Sequence, residues 1–361
     1  MSNVVLVAGA SGLVGTAAVD AFLDAGWEVI ALSRRKPEVF SERPFSHISV
    51  DLRDRQSCET AFADLADVTH LVYTAVYEMP GLVAGWQDPG QMDTNLTMLR
   101  NLIEPLSQVA RIEHITLLQG TKAYGVHLHA IPVPARERQP RDDHANFYWL
   151  QEDYIRELSA RNGMAWTIFR PTVVLGPNVG VVMNILPVIG VYAALCREEG
   201  LPFGFPGDMP YVREAVDTRL IGSAAVWAAH TPAARSEHFN LTNGEAFSWR
   251  DLWPAMAECL GMQPAPDRTV SMAQYLPSRA DLWERIVHRH GLRPLSMEQL
   301  LGESHHYADF GFGWGLKQTP PPAFVSTVKV KQAGFTDTFD TELATRHWLN
   351  VLMDRRILPR P

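Results

Sequence analysis

The sequence predicts an α/β protein built on a doubly wound parallel sheet, completed by a smaller, mostly helical C-terminal part that covers a substrate. Three observations predict it. Over the first half, short apolar runs rich in β-branched residues alternate with stretches of helical periodicity. A glycine-rich turn joins the first such run to the first helical stretch. After residue 171 the alternation gives way to Pro- and Gly-rich segments and clustered aromatics.

Taken in order, Val4–Ala8 is a central parallel strand, apolar throughout because both of its faces are covered. Val14, Ala17, Ala18, Ala21, Phe22 and Ala25 recur at helical spacing, and Gly26 stands where a left-handed residue ends a helix. Trp27–Leu32 and Ser46–Val50 are the next strands, followed by a helix at Ser57–Leu65 and a strand at Thr69–Ala75. The spacing then predicts a long helix over Asp93–Ala110, a strand at Ile112–Gln119, a helix at Phe147–Arg161 and a strand at Ala165–Arg170. His238–Thr242 is one further strand, which returns to the first sheet. The organisation expected is a dinucleotide-binding part over residues 1–175, interleaved with a substrate-binding and lid region over 176–361.

Composition excludes several classes of function. Apolar residues make up 46% and charged residues 20% of the 361, a globular balance that rules out disorder, collagen and coiled coil. Net charge is −8 and no basic run exists to track phosphates, so nucleic acid is not an expected partner. Cys58, Cys196 and Cys259 form no CxxC pair, and His127-x-His129 and His305-His306 have no carboxylate or thiol cluster in sequence beside them. Neither a disulfide framework nor a metal site is expected. Pro171–Cys196 has no charge, but Pro177, Asn178, Asn184 and Pro187 break it, so it reads as a strand end, a loop and a core helix. No basic region precedes the first apolar run. A cytoplasmic protein with no membrane partner is expected, and the residues leave monomer and homodimer both open.

The sharpest motif is Gly9-Ala10-Ser11-Gly12-Leu13-Val14-Gly15, a GxxGxxG turn between strand and helix. Gly9 makes the tight turn, Gly12 lets a pyrophosphate approach the backbone, and Gly15 lets helix pack on strand. The phosphates then meet the positive end of the helix. This makes the fold Rossmann-type. At the end of the second strand stand Ser33, Arg34 and Arg35 instead of the acidic residue that grips a free ribose hydroxyl. Two guanidiniums suit a 2′-phosphate, so NADP(H) is the expected cofactor. Asp51 and Leu52 are placed to meet the adenine edge. Thr74, Ala75, Gln119, Pro171 and Val174, at or near the carboxyl ends of strands, complete the expected cofactor contacts.

This glycine spacing resembles the extended short-chain dehydrogenases/reductases, which usually carry Tyr-x-x-x-Lys on a helix and Ser or Thr four residues before a Tyr-Gly pair. Here Tyr148 is followed at that spacing by Glu152, and Tyr124-Gly125 is preceded by Gly120. Lys122 stands instead in Gln119-Gly120-Thr121-Lys122-Ala123-Tyr124-Gly125, at the ligand-binding edge of the sheet. That run, together with Asn146-Phe147-Tyr148-Trp149-x-x-Glu152-Asp153, resembles the progesterone 5β-reductase/iridoid synthase family. So do Asn95-x-x-Met98-x-Arg100-Asn101, Arg170-Pro171, Met183-Asn184 and Phe239–Gly244. Trp149 departs from the family's second tyrosine, and the loop between the two motifs is shorter.

The resemblance implies NADPH-dependent reduction of the C=C bond of a small apolar enone or enal, without metal or flavin. It puts the catalytic roles on Lys122 and Tyr148, both of which also touch the cofactor. Tyr148, Trp149, Phe310 and Trp314 are the expected substrate contacts. Tyr307, Phe310, Phe312 and Trp314 make either a lid over the substrate or ordinary packing, and Tyr124 is a competing donor or a turn residue. A carbonyl reductase or sugar-nucleotide epimerase, and an NADP-sensing regulator without turnover, are the alternative readings.

Overall fold

The run Val4–Ala8 forms β1, and every one of its residues is buried. In the computed structural model, which describes residues 3–80 and 82–361, β1 is flanked by β2 (Glu28–Leu32) and β4 (Val68–Tyr73). β3 (Ser46–Ile48) closes one edge. β5 (His114–Leu118), β6 (Ala165–Pro171) and β10 (Glu237–Leu241) continue the other. The order is β10-β6-β5-β4-β1-β2-β3, parallel throughout.

Helices cover both faces. α1 (Leu13–Asp24) and α6 (Thr218–His230) bury Ala18, Val19 and Phe22 against Ala225 on one side. α2 (Arg55–Phe62), α3 (Pro89–Val109) and α4 (Phe147–Asn162) bury Phe62, Leu99, Leu102 and Ile155 on the other. Helix α3 begins four residues before the expected Asp93, because the Asp88 carboxylate accepts the Gln91 N–H and Pro89 occupies the first turn. α2 likewise begins at Arg55, where Asp54 caps it.

The uncharged stretch after Pro171 becomes β7 (Val173–Leu175), a loop and α5 (Ile185–Glu199), whose residues from Ile185 to Cys196 are all buried. Around α5 pack α7 (Trp249–Cys259), α9 (Ala280–His290), α10 (Met297–Leu301), α11 (Ser304–Phe312) and α13 (Thr341–Asp354). The run has no charge because it is the axis of a second core. No described helix is long and apolar enough to cross a membrane. Short pieces fill the rest: β8 (Phe203–Gly204) pairs with β12 (Pro264–Ala265), and β9 (Arg213–Asp217) lies between β7 and β11 (Ala246–Phe247). α8 (Met272–Tyr275) and α12 (Val328–Gln332) are single turns.

Asp217 joins the two cores. It is fully buried at the N-cap of α6, accepting the Arg219 N–H at 2.8 Å and the Trp348 indole N–H from α13 at 2.9 Å. Asp217→Ala leaves that indole and the Arg219 guanidinium unpaired. It is expected to lower unfolding free energy by about 3 kcal/mol, read as a lower urea midpoint. An unchanged midpoint would show that the two cores are not coupled here.

Candidate active site

The glycine turn is built as its spacing requires. Gly9 has φ +82°, and a Cβ there would lie 2.6 Å from the Ala75 nitrogen. A Cβ on Gly15 would run into the Gly9 carbonyl, so α1 rests directly on the strand end. Gly12 is the N-cap of α1 and makes no side-chain cap bond, which leaves the first-turn N–H groups to an incoming anion. These features fit a dinucleotide pyrophosphate. Ser11, Leu13 and Val14 are half-buried around the turn, and the Thr74 hydroxyl donates to Ala8 O at 2.9 Å behind it. Val174 packs partly buried beside the same region.

The ribose end separates its two arginines. The Ser33 hydroxyl donates to Arg35 O at 2.6 Å and fixes the turn that carries both exposed side chains. Arg34 lines a recess of about 590 Å³ with Ser49, Asp51 and Thr60. Arg35 reaches the other way, 4.0 Å from where a Gly180 Cβ would stand. Asp51 is clamped by Arg53 at 2.6 Å; that hydrogen bond, with Arg34 adding, holds its carboxyl down at about 2. Leu52 is buried, and its carbonyl accepts from Asn101 at 2.8 Å.

The reacting end lies beyond β5. Asn146 caps α4 by accepting the Tyr148 N–H at 3.1 Å. The Tyr148 hydroxyl stands 3.3 Å from the point where a Gly120 Cβ would be, and Pro171 O is 3.7 Å from that point. A Ser or Thr at position 120 would crowd the phenol, so the missing hydroxyl and the seat of Tyr148 are one arrangement. Burial raises the phenol's pKa, Glu78 and Tyr307 raise it further, and Arg170 opposes them weakly. Tyr148 is therefore held protonated, a donor rather than a base.

Lys122 follows on the turn Thr121–Tyr124, with its ammonium 3.5 Å from the centre of the Trp86 ring. Desolvation pulls its pKa down to about 8, against the pull of Glu78. Glu78 acts electrostatically on both Lys122 and Tyr148, so the three share one cleft. Its own pKa is raised by burial, with Lys122 and Gln91 opposing. Two buried amides of α3 set its position. Asn95 accepts the Tyr77 N–H at 2.9 Å, and Gln91 accepts the Met79 N–H at 2.7 Å and donates to the Glu78 carboxylate at 2.8 Å.

The aromatic segment splits between two duties. Phe312 enters the C-terminal core against Trp249 and Trp253. Phe310, 48% exposed, faces Trp86 at 6.3 Å and Tyr307 at 6.3 Å over the cleft. Trp314 lies just past α11, partly exposed, its N–H on Asp309 O. Trp149 is buried between the guanidiniums of Arg141 and Arg170, at 4.7 and 6.0 Å from its ring, with His144 beside it. The Tyr124 hydroxyl donates to Asn240 at 2.7 Å, which makes it a turn residue already partnered.

Glu152, where the short-chain enzymes keep lysine, is buried in a cationic nest. Arg141, Arg156 and His238 each lie 3.1 Å from Oε1, and Arg170 lies 3.9 Å from Oε2. The Gln119 amide donates to Oε2 at 2.9 Å and accepts from Arg170 at 2.9 Å, so Gln119, expected at the cofactor, has its side chain engaged here. Burial alone would raise this carboxyl. His238, Gln119 and Arg141 outweigh it and keep the group well below the usual carboxylate range.

A seven-stranded parallel sheet, an uncapped glycine turn and a protonated tyrosine at the same strand ends define an NAD(P)-binding oxidoreductase of the extended short-chain type. Residues 5–242 match the NAD dependent epimerase/dehydratase family. An (S)-8-oxocitronellyl enol synthase of Camptotheca acuminata is 31% identical over 317 residues, 82% of this chain and 80% of that protein. The 3-oxo-Delta(4,5)-steroid 5-beta-reductase of Arabidopsis thaliana is 28% identical over the same shares. The UDP-glucose 4-epimerase of Thermus thermophilus, solved with NAD, shares the fold at 20% identity and a TM-score of 0.65, covering 96% of this chain and 98% of that one. The chain belongs to the NAD dependent epimerase/dehydratase family and, within it, to the progesterone 5β-reductase/iridoid synthase family.

Tyr307, read from the sequence as lid or packing, belongs to the cleft; Trp86, Glu78 and Arg213 belong to it too and had no signal of their own in the sequence. Asn95, in one of the quoted motifs, was the nearest pointer to Glu78. The Glu152 nest yields a direct test. Glu152→Lys, which restores Tyr-x-x-x-Lys on paper, sets an ammonium among three guanidiniums and is expected to abolish folding. Glu152→Gln is expected to fold with a stability loss of about 3–5 kcal/mol. A Glu152→Lys protein that melts like the parent and oxidises alcohols would contradict this account of the helix.

Proposed function

We propose that the protein reduces the C=C bond of enones and enals by 1,4-addition, with NADPH as reductant. The observation that carries this reading is the protonated, desolvated phenol of Tyr148 with no lysine one turn away. Carbonyl–alcohol interconversion by this fold needs a phenol whose pKa is lowered by a neighbouring ammonium. Conjugate reduction needs only a donor for the oxygen that gains charge. The named activities of the relatives, an enol synthase and a steroid 5-beta-reductase, support the same reading. Arg34 and Arg35, just past the carboxyl end of β2 where no acidic residue stands, support NADPH over NADH.

When bound, the reduced nicotinamide supplies a hydride to the β-carbon of the acceptor. Tyr148 donates its hydrogen bond to the carbonyl oxygen, which becomes an enolate oxygen as the hydride arrives. That bond strengthens in the transition state and so lowers the barrier rather than only the binding energy. Lys122 keeps the cleft positive while charge develops. The α-carbon then takes its proton from water. Trp86 and Phe310 wall the acceptor away from bulk solvent.

An NADPH-oxidation assay over a panel of cyclic enones, enals and steroids, with product identification, tests the reaction. Saturated carbonyl products are expected; allylic alcohols as the only products would overturn it. Tyr148→Phe is expected to lower kcat and kcat/KM together by roughly 10²–10³-fold, and wild-type turnover in that variant would remove the proposed donor. Because Lys122 is charged below about 8 and neutral above it, kcat/KM should fall as pH rises through about 8, and Lys122→Met should flatten that step. A step that survives in the variant belongs to another group. Arg34→Ala should weaken NADPH binding more than NADH binding, as read by fluorescence titration. Equal losses would argue against 2′-phosphate recognition.

A further inference from the structure

Arg213 opens β9 on the wall of the cleft lined by α11. Its guanidinium lies 4.2 Å from the Tyr211 ring centre and 5.4 Å from that of Phe310. It donates to the Tyr211 hydroxyl, which in turn donates to Phe310 O at 2.9 Å. Gly311 lies alongside, where a Cβ would press on Ile185 and stand in ordinary contact, 4.0 Å, with an Arg213 nitrogen. Arg170, behind the opposite wall, faces the Glu152 carboxylate. No carboxylate is within ion-pair distance of Arg213 among the described residues, and desolvation pulls its pKa down to about 10.

A run of aromatic contacts links Arg213 to the reacting groups. Phe310 connects Arg213 to Trp86, and Trp86 carries Lys122. Tyr307 acts electrostatically on both Tyr148 and Arg213. The cleft thus has a hydrogen-bond donor at one end, apolar walls, and a desolvated guanidinium at the other.

A guanidinium half-buried among aromatic rings without a counter-charge loses hydration that nothing nearby repays. The cost is recovered when an anion with matching geometry arrives, and a carboxylate fits the guanidinium fork by two parallel bonds. One guanidinium balances one carboxylate. The neighbours of Arg213 are aromatic, which provides neither the second cation nor the cradle of backbone N–H groups that a phosphate ester usually finds.

We propose that Arg213 binds a carboxylate of the substrate, so that the natural acceptor is an enone or enal with an acid group remote from the reacting carbonyl. The inference builds on the proposed reaction only for the word acceptor; the anion site stands on its own geometry.

Binding of a saturated keto acid and of its methyl ester to the enzyme–NADP⁺ complex tests it without any turnover, so it fails or holds independently of the reduction assay. Calorimetric titration should find the acid bound about tenfold to a hundredfold more tightly than the ester. Arg213→Gln should bring that ratio close to one, and Arg213→Lys, which keeps charge but loses the fork, should leave it in between. Equal binding of acid and ester to the wild-type protein would overturn the proposal even if Arg213→Gln fails to fold. A preference for the acid that survives in Arg213→Gln, or tighter binding of the corresponding phosphate ester, would overturn it too.

Discussion

Glu152 keeps a negative charge where water is almost absent, and three guanidiniums and an imidazole converge on it. The groups come from α4, β6, β10 and the loop before α4, with Gln119 of the β5 end as a fifth arm. This cluster fixes where the first turn of α4 lies against the strand ends. The place of the Tyr148 hydroxyl over Gly120 follows from it. A buried charge set of this kind contributes little net stability, but breaking it is expensive. Its physical effect is to allow one docking of helix on sheet and few others.

The same cluster sets what can stand beside the phenol. The position one turn after the tyrosine is committed to a carboxylate that helps hold the sheet together, so no ammonium can stand there to acidify the phenol. Burial then acts on Tyr148 with only weak opposition from Arg170, and the phenol's pKa stays raised. Lys122 approaches from a different segment and rests on Trp86 rather than on the α4 surface. Two departures from the short-chain pattern, Glu152 and Gly120, therefore belong to one structural solution: the glycine leaves the space that the phenol fills.

What could be read from the sequence was what is local in the chain. The glycine turn, the arginine pair after β2 and the alternating strands and helices each lie within a few residues, and their physics acts at that range. The helix starts at Arg55 and Pro89 were displaced from periodicity because caps, not apolar spacing, set them. Tyr148 and Lys122 were legible through motif resemblance, while their surroundings were not. Glu78, Trp86, Arg213 and Tyr307 come from a loop, a short 3-10 turn, β9 and α11, and only the three-dimensional fold brings them together. Gln119 reads as a cofactor contact because it ends a strand. Its side-chain amide bonds Glu152 and Arg170, a partnership spread over about fifty residues of chain that no spacing rule announces.

The proposed reaction delivers hydride to carbon while the oxygen is only hydrogen-bonded. The most direct measurement is the fate of deuterium from NADPH labelled at the transferable position of the nicotinamide, followed by NMR of the product of a simple enone. Deuterium is expected at the β-carbon, with the carbonyl intact. Deuterium on a carbinol carbon, with the double bond retained, would contradict that reaction.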